Sequence, residues 1–151
     1  MTALQRKKVA RLTGVFYLGL ALFGMAGFLL VRPQLFADGD AAATLANLAG
    51  NVTLARFGVV FELLVVLAQA LAAGWFYQLF RRADPVGAAG IAAFGLVNAA
   101  AILGSAALLA TASELATEPV GATAADVQVL YLISGNLWVA GGLFFLSLIH
   151  I

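Results

Sequence analysis

The sequence predicts an all-α, polytopic transmembrane helix bundle with four membrane-spanning helices. Hydrophobic residues make up 64% of the 151 residues and charged residues only 10%, whereas soluble domains have roughly 45–50% and about 25%. The apolar residues form four long stretches, separated by short polar or charged breaks. An apolar helix of about 20 residues is about 30 Å long, which is the thickness of the hydrocarbon core of a bilayer. We therefore expect one transmembrane domain over residues 1–151.

The four spans are predicted at residues 12–31, 57–80, 87–112 and 127–145. The first contains no charged residue and is followed by Arg32 and Pro33. Its apolar run is longer than the roughly 7–15 residues of a secretory signal core, and three spans follow it, which favours an uncleaved helix. Between the first two spans, Asp40 is placed to cap a short helix near residues 40–50. This helix is expected at the outer membrane surface.

The basic residues predict the orientation of the chain. Under the positive-inside rule, six of the eight Lys and Arg residues fall on the cytoplasmic side if the N-terminus is cytoplasmic. These six residues are Arg6, Lys7, Lys8, Arg11, Arg81 and Arg82. Orientation and contact with anionic lipid explain the basic N-terminus better than nucleic-acid binding does. The expected location is the bacterial inner membrane, with the lipid bilayer as partner and no nucleic acid.

Polar residues inside the spans are the candidate functional residues. Glu62 is the one ionisable residue within a predicted span, and such residues are costly in a bilayer and often functional. Gln69 follows seven residues later on nearly the same helical face, and Asn98 and Asn136 add one carboxamide each to spans three and four. One interpretation is a proton- or cation-handling polar face. The other is that Glu62 lies near interfacial water and that the amides form hydrogen bonds between helices.

The sequence contains no catalytic constellation that we can identify. Cysteine is absent, which excludes thiolate catalysis and cysteine metal sites, and His150 is the single histidine. Paired acid and base groups for lipid chemistry are missing as well. We expect a non-enzymatic protein without cofactors, with a structural or regulatory role through contacts with other helices or with itself. The alternative is a small transporter or channel component that uses the face around Glu62 and Gln69.

Several short motifs resemble a bacterial integral-membrane family catalogued as domain of unknown function 4386. They are Arg11–Leu18 at the start of the first span, Gly39–Ala43, Asn47, Arg56 and Tyr77–Arg81. The resemblance covers residues 6 to about 112 and fades in the fourth span. The family has no assigned activity, so the resemblance carries over no catalytic residue.

The resemblance also implies a longer protein. Family members look like six-span proteins, which makes this chain a C-terminally truncated member by expectation. The final residues 146–151 read Leu-Ser-Leu-Ile-His-Ile, one possible translation of the transposase end sequence used in sequencing libraries. We therefore expect an adapter-derived tail, and the alternative is an ordinary hydrophobic C-terminus.

Overall fold

The computed structural model describes residues 3–118 and 121–147, and within them it contains helices and no strand. This confirms the predicted all-α fold. The elements are α1 (Ala3–Gly24), a π-helical segment (Met25–Val31), α2 (Arg32–Leu35), α3 (Ala41–Gly50), α4 (Val52–Phe80), α5 (Pro85–Thr117) and α6 (Ala124–Ser147).

Four helices are long and apolar enough to cross a membrane: Leu4–Leu35, Val52–Phe80, Pro85–Thr117 and Ala124–Phe144. The first consists of α1, the π-helical segment and α2, and we call it the first span. All four begin before their predicted limits. The first and third also end beyond them, the second ends at the predicted Phe80, and the helix α6 itself continues to Ser147. Helical hydrogen bonding continues beyond an apolar stretch, because charged side chains near its ends can reach water. At 29 and 33 residues, α4 and α5 are longer than a bilayer core requires, so they tilt or project from it.

Aspartate side chains begin two of the helices. Asp40 Oδ1 accepts a hydrogen bond of 2.9 Å from the backbone N–H of Ala43, which confirms the predicted cap of α3. Asp84 accepts from two backbone N–H groups in the first turn of α5, where Pro85 occupies the first helical position. In both cases the carboxylate satisfies donors that have no partner within the helix.

The helices α4 and α5 occupy the middle of the bundle. The first span packs against α4, α6 packs against α5, and α3 contacts both α5 and α6. Glycines bring the first span close to α4: a methyl group added at Gly27 would lie 3.2 Å from the Cβ of Phe61. Another at Gly58 would lie 3.2 Å from a methyl group of Val31. This close contact aligns the π-helical segment with the half of α4 that carries Glu62.

The surface of the bundle is apolar, as a hydrocarbon environment requires. Leu30, Val139 and Leu143 are more than 60% exposed, whereas polar side chains such as Thr44 are buried. This distribution and the four apolar helices identify a membrane protein. Residues 148–151, most of the tail considered above and including His150, lie outside the described residues.

Candidate functional site

Three of the four predicted polar residues are buried, and one is not. Glu62 and Gln69 lie on one buried face of α4, and Asn98 is buried in α5, with exposed fractions of 4%, 3% and 5%. Asn136 is on the exposed side of α6. Within the described part of the chain, no hydrogen bond joins any two of these residues. The structure therefore does not gather them into one polar lining.

Glu62 is bound by a residue of the fourth span. The indole Nε1 of Trp138 donates a hydrogen bond of 2.9 Å to Glu62 Oε1 and so ties α6 to α4. The hydroxyl of Ser105 on α5 lies beside the same carboxyl group. No hydrogen bond joins the two groups, since both Ser105 Oγ and Glu62 Oε2 are buried without a partner. Glu62 thus lies where α4, α5 and α6 meet.

Arg32 is the second charged residue of the site. Its Nη1 donates to Ser134 Oγ at 3.0 Å, and its Nη2 donates to the Tyr131 carbonyl at 2.5 Å. Gly135 leaves room for the guanidinium group, because a Cβ at that position would lie 2.9 Å from Nη2. Arg32 therefore binds the first span to α6, much as Trp138 binds α6 to α4.

Three aromatic rings surround the guanidinium carbon of Arg32. The ring centroids of Phe28, Phe36 and Tyr131 lie 5.5, 5.7 and 5.4 Å away. Phe36 and Tyr131 also stack on each other, with centroids 5.6 Å apart. Each cation–π contact contributes about 0.5–2 kcal/mol, with the larger values at desolvated sites. The rings thus shield a positive charge that the apolar helix could not otherwise accommodate.

Arg32 was expected after the end of the first span, whereas it lies inside that span in the structure. Phe28 and Phe36 are four residues before and after it, on the same helical face, which is the signal that could have identified it. Trp138, Tyr131 and Ser134 were missed as well. Their spacing of three and four residues puts them on one face of α6, but nothing local shows which helix that face contacts.

A small cavity lies between the two charged residues. It measures about 10 Å³ and is lined by Arg32, Glu62 and Tyr131, together with apolar side chains and glycines. Arg32 and Glu62 are near enough to interact electrostatically. A space of this size accommodates about one water molecule, so it offers no passage for a larger solute.

Gln69 faces α5 rather than Glu62. Its Nε2 would lie 3.1 Å from a Cβ added at Gly95, and its buried Oε1 has no hydrogen-bond partner. Gly95 also lies against Ala73 of α4, where an added Cβ would come within 2.9 Å. Gln69 therefore fills the closest contact between α4 and α5.

A larger cavity of about 340 Å³ lies between the first span and α6, and we call it the α1–α6 cleft. One wall is formed by residues of the first span between positions 17 and 25, and the other by Trp138 and Gly142. Val65 of α4 and Ile102 of α5 form its floor, together with Asn98. Apart from Asn98, the lining is apolar or aromatic.

The six basic residues of the predicted cytoplasmic side are exposed and lie in two groups. Arg6, Lys7, Lys8 and Arg11 are in the first turns of α1, and Arg81 and Arg82 are in the turn between α4 and α5. Among the described residues, no three His, Cys, Asp or Glu side chains are grouped as a metal ion would need.

Comparison with protein families extends the resemblance found in the sequence. The family described as Domain of unknown function (DUF4386) matches residues 12–151. The match continues through α6 and is thus longer than the stretch ending near residue 112 on which the resemblance was based. Comparisons with curated proteins and with solved structures found no match. Because the match covers nearly the whole sequence, the chain belongs to this family of unknown function.

Proposed function

We propose that this chain is a non-enzymatic, multi-pass membrane protein that acts through contacts between helices. The observation that supports this is the use of its two intramembrane charged residues. Ionisable side chains in a span usually line a pathway or bind one another. Here Arg32 binds the backbone and a hydroxyl of α6, and Glu62 accepts a hydrogen bond from α6. Both groups hold the fourth span in place.

A transport function remains the alternative, and the free Oε2 of Glu62 and Oε1 of Gln69 are the features that favour it. A transporter needs a polar pathway that reaches its ionisable residue from both sides. The cavity at Glu62 is close to the size of one water molecule, and the α1–α6 cleft is mainly apolar. The Trp138–Glu62 hydrogen bond lies between them. The structural role therefore has the stronger support.

Proton flux into liposomes distinguishes the two functions. Glu62→Gln removes the titratable group but keeps an oxygen that can accept from Trp138, and Glu114→Gln is the matched change at an exposed position. We expect the parent and both variants to leave the proton permeability of the liposomes unchanged. A flux in the parent that disappears in Glu62→Gln, but not in Glu114→Gln, would establish the transport function instead.

Asn136 suggests where another helix could bind. Its carboxamide is exposed on α6 near Leu132 and Val139, which are 45% and 69% exposed. An amide facing hydrocarbon gains about 0.6–2 kcal/mol by hydrogen bonding to a second helix. We infer that a second copy of the chain pairs at this face. Energy transfer between labelled copies in liposomes should decrease in Asn136→Leu and remain in Asn98→Ala, where the lost amide is internal.

The proposed location is a bacterial inner membrane with the N-terminus in the cytoplasm. The chain has no cysteine, so single cysteines report sidedness without background. In right-side-out vesicles, an impermeant maleimide should label Ala42→Cys in α3 directly. It should label Ala83→Cys, beside Arg81 and Arg82, only after the membrane is opened. The reverse pattern would show the opposite orientation.

A further inference from the structure

The α1–α6 cleft has the features of a binding site for a small apolar molecule. Its volume of about 340 Å³ falls within the range of about 300–1,000 Å³ that is typical of ligand pockets. Its rim is accessible from outside the bundle, since Tyr17 and Met25 are 39% and 51% exposed. The cleft closes toward Arg32, because Phe28 and Trp138 touch there with ring centroids 5.2 Å apart. An entering molecule would therefore come from the lipid and stop at Trp138.

Asn98 is the polar group of the cleft. It is 95% buried (5% exposed), it lines the cleft, and it has no hydrogen-bond partner among the described residues. Its Oδ1 points at Gly141 of α6, where an added Cβ would clash with it. The amide N–H₂ is therefore the group left for a ligand. An amide N–H₂ that faces an apolar cleft without a partner is costly, so a ligand oxygen that accepts from it would be stabilised.

The depth of Asn98 in the membrane narrows the class of ligand. Asn98 is 13 residues after Pro85 in a helix of 33 residues, which places it about 5 Å from the midpoint of the helix axis. The ester groups of a phospholipid lie at the edge of the hydrocarbon core, about 15 Å from its centre. We therefore expect a ligand oxygen that reaches Asn98 to belong to a molecule whose polar group can enter the apolar interior of the bilayer.

We propose that the α1–α6 cleft binds one lipophilic carbonyl compound of the quinone type. A carbonyl oxygen of the ligand accepts a hydrogen bond from the Asn98 amide. The ligand ring packs against the indole of Trp138, because aromatic rings stack favourably on one another. The hydrocarbon tail leaves the cleft past Tyr17 toward the lipid. This binding goes beyond the proposed structural role and does not depend on it.

The fluorescence of Trp138 provides a direct test, because this residue lines the cleft. The chain has two tryptophans, so removing Trp75 leaves Trp138 as the only source of indole fluorescence. The chain with Trp75→Phe is reconstituted in phosphatidylcholine liposomes and titrated with a decyl-substituted benzoquinone, which quenches indole fluorescence. We expect saturable quenching of Trp138. A membrane-dissolved tryptophan ester in the same liposomes gives the linear, collisional reference. Quenching of Trp138 with the same linear dependence would overturn the proposal.

Three variants in the Trp75→Phe background test the location of the site. Gly142→Leu places a side chain in the cleft without a clash, because nothing lies within 4 Å of its Cβ position, and Gly90→Leu does the same outside the cleft. We expect saturation to be lost in Gly142→Leu and kept in Gly90→Leu. Asn98→Ala should weaken binding about fivefold, as for one lost hydrogen bond.

Ordinary lipid as the occupant is the competing result. Phospholipids brominated along their chains would then give saturable quenching at low mole fraction, and Asn98→Ala would leave the decyl-benzoquinone titration unchanged. Either finding would overturn the carbonyl proposal. Circular dichroism of each variant must match the parent, and if Gly142→Leu does not, Ala21→Leu blocks the cleft from another position on its wall.

Discussion

Trp138 and Glu62 form a hydrogen bond of 2.9 Å between residues 76 positions apart in the chain. The indole N–H can only donate a hydrogen bond, and the carboxyl group offers an acceptor. Each group therefore gives the other a hydrogen-bond partner, which hydrocarbon could not provide. Arg32 binds the same face of α6 as Glu62 does, one to two turns closer to the N-terminus of that helix, at Ser134 and Tyr131. The fourth span is therefore held by polar contacts from both the first and the second span.

The strength of this hydrogen bond can be measured with a double-mutant cycle. Trp138→Phe keeps an aromatic ring and removes the donor, and Glu62→Leu removes the acceptor. We expect a coupling free energy of about 0.6–1.7 kcal/mol, as found for hydrogen bonds between membrane helices. The measurement is unfolding by sodium dodecyl sulfate in mixed micelles, followed by circular dichroism. Additive effects of the two changes would mean that the bond does not stabilise the bundle.

Removing Arg32 should destabilise the protein strongly. Arg32→Leu breaks two charge-assisted hydrogen bonds to α6 and three contacts with aromatic rings. We expect the free energy of unfolding to fall by about 2–3 kcal/mol. Arg32→Lys should recover only part of this loss, since an ammonium group lacks the planar fork that reaches both acceptors.

Arg56→Leu is the control for the loss of a positive charge, because Arg56 is exposed at the start of α4. It should change the free energy of unfolding by no more than about 0.5 kcal/mol. Equal losses in Arg32→Leu and Arg56→Leu would contradict the role assigned to the Arg32 contacts. The same micelle unfolding experiment serves for both.

A single methyl group at Gly135 should weaken the Arg32 contact. In Gly135→Ala the new Cβ would lie 2.9 Å from Arg32 Nη2, so the guanidinium group must move away from Tyr131. Because Nη2 is the end of a flexible side chain, the cost is that of the weakened hydrogen bond to the Tyr131 carbonyl, and we expect a loss of about 1–3 kcal/mol. Gly142→Ala on the same helix meets nothing within 4 Å and should be neutral or gain up to about 1 kcal/mol from helix propensity. Similar stabilities for the two variants would disprove the steric argument.

Local signals in the sequence were sufficient to predict the helices and part of the candidate site. Asp40 identified the start of α3, and the seven-residue spacing of Glu62 and Gln69 placed both on the face of α4 that is buried. These inferences rest on neighbours within two turns of one helix. The four apolar stretches needed only their length, because the bilayer fixes how long a span must be.

The other contacts of the site depend on how each helix is rotated about its axis. The sequence of a membrane span does not indicate this rotation. In a soluble helix the apolar stripe marks the buried side, whereas apolar residues lie on every side of α6. No sequence signal therefore distinguished the exposed Asn136 from Ser134, which is two residues earlier and buried. Arg32 binds residues about 100 positions away, and no local pattern reveals such a partner.

The contact between α4 and α5 gives the last prediction. A Cβ at Gly95 would lie 2.9 Å from the Cβ of Ala73 and 3.1 Å from Gln69 Nε2, so Gly95→Ala must separate the two central helices. We expect a loss of about 1–3 kcal/mol in the free energy of unfolding. Gly90→Ala in the same helix has open space around it and should be neutral or slightly stabilising. Gly95→Ala combined with Gln69→Ala should recover only part of the loss, because the Ala73 contact remains. Full recovery in the double variant would show that Gln69, rather than Ala73, sets the spacing of α4 and α5.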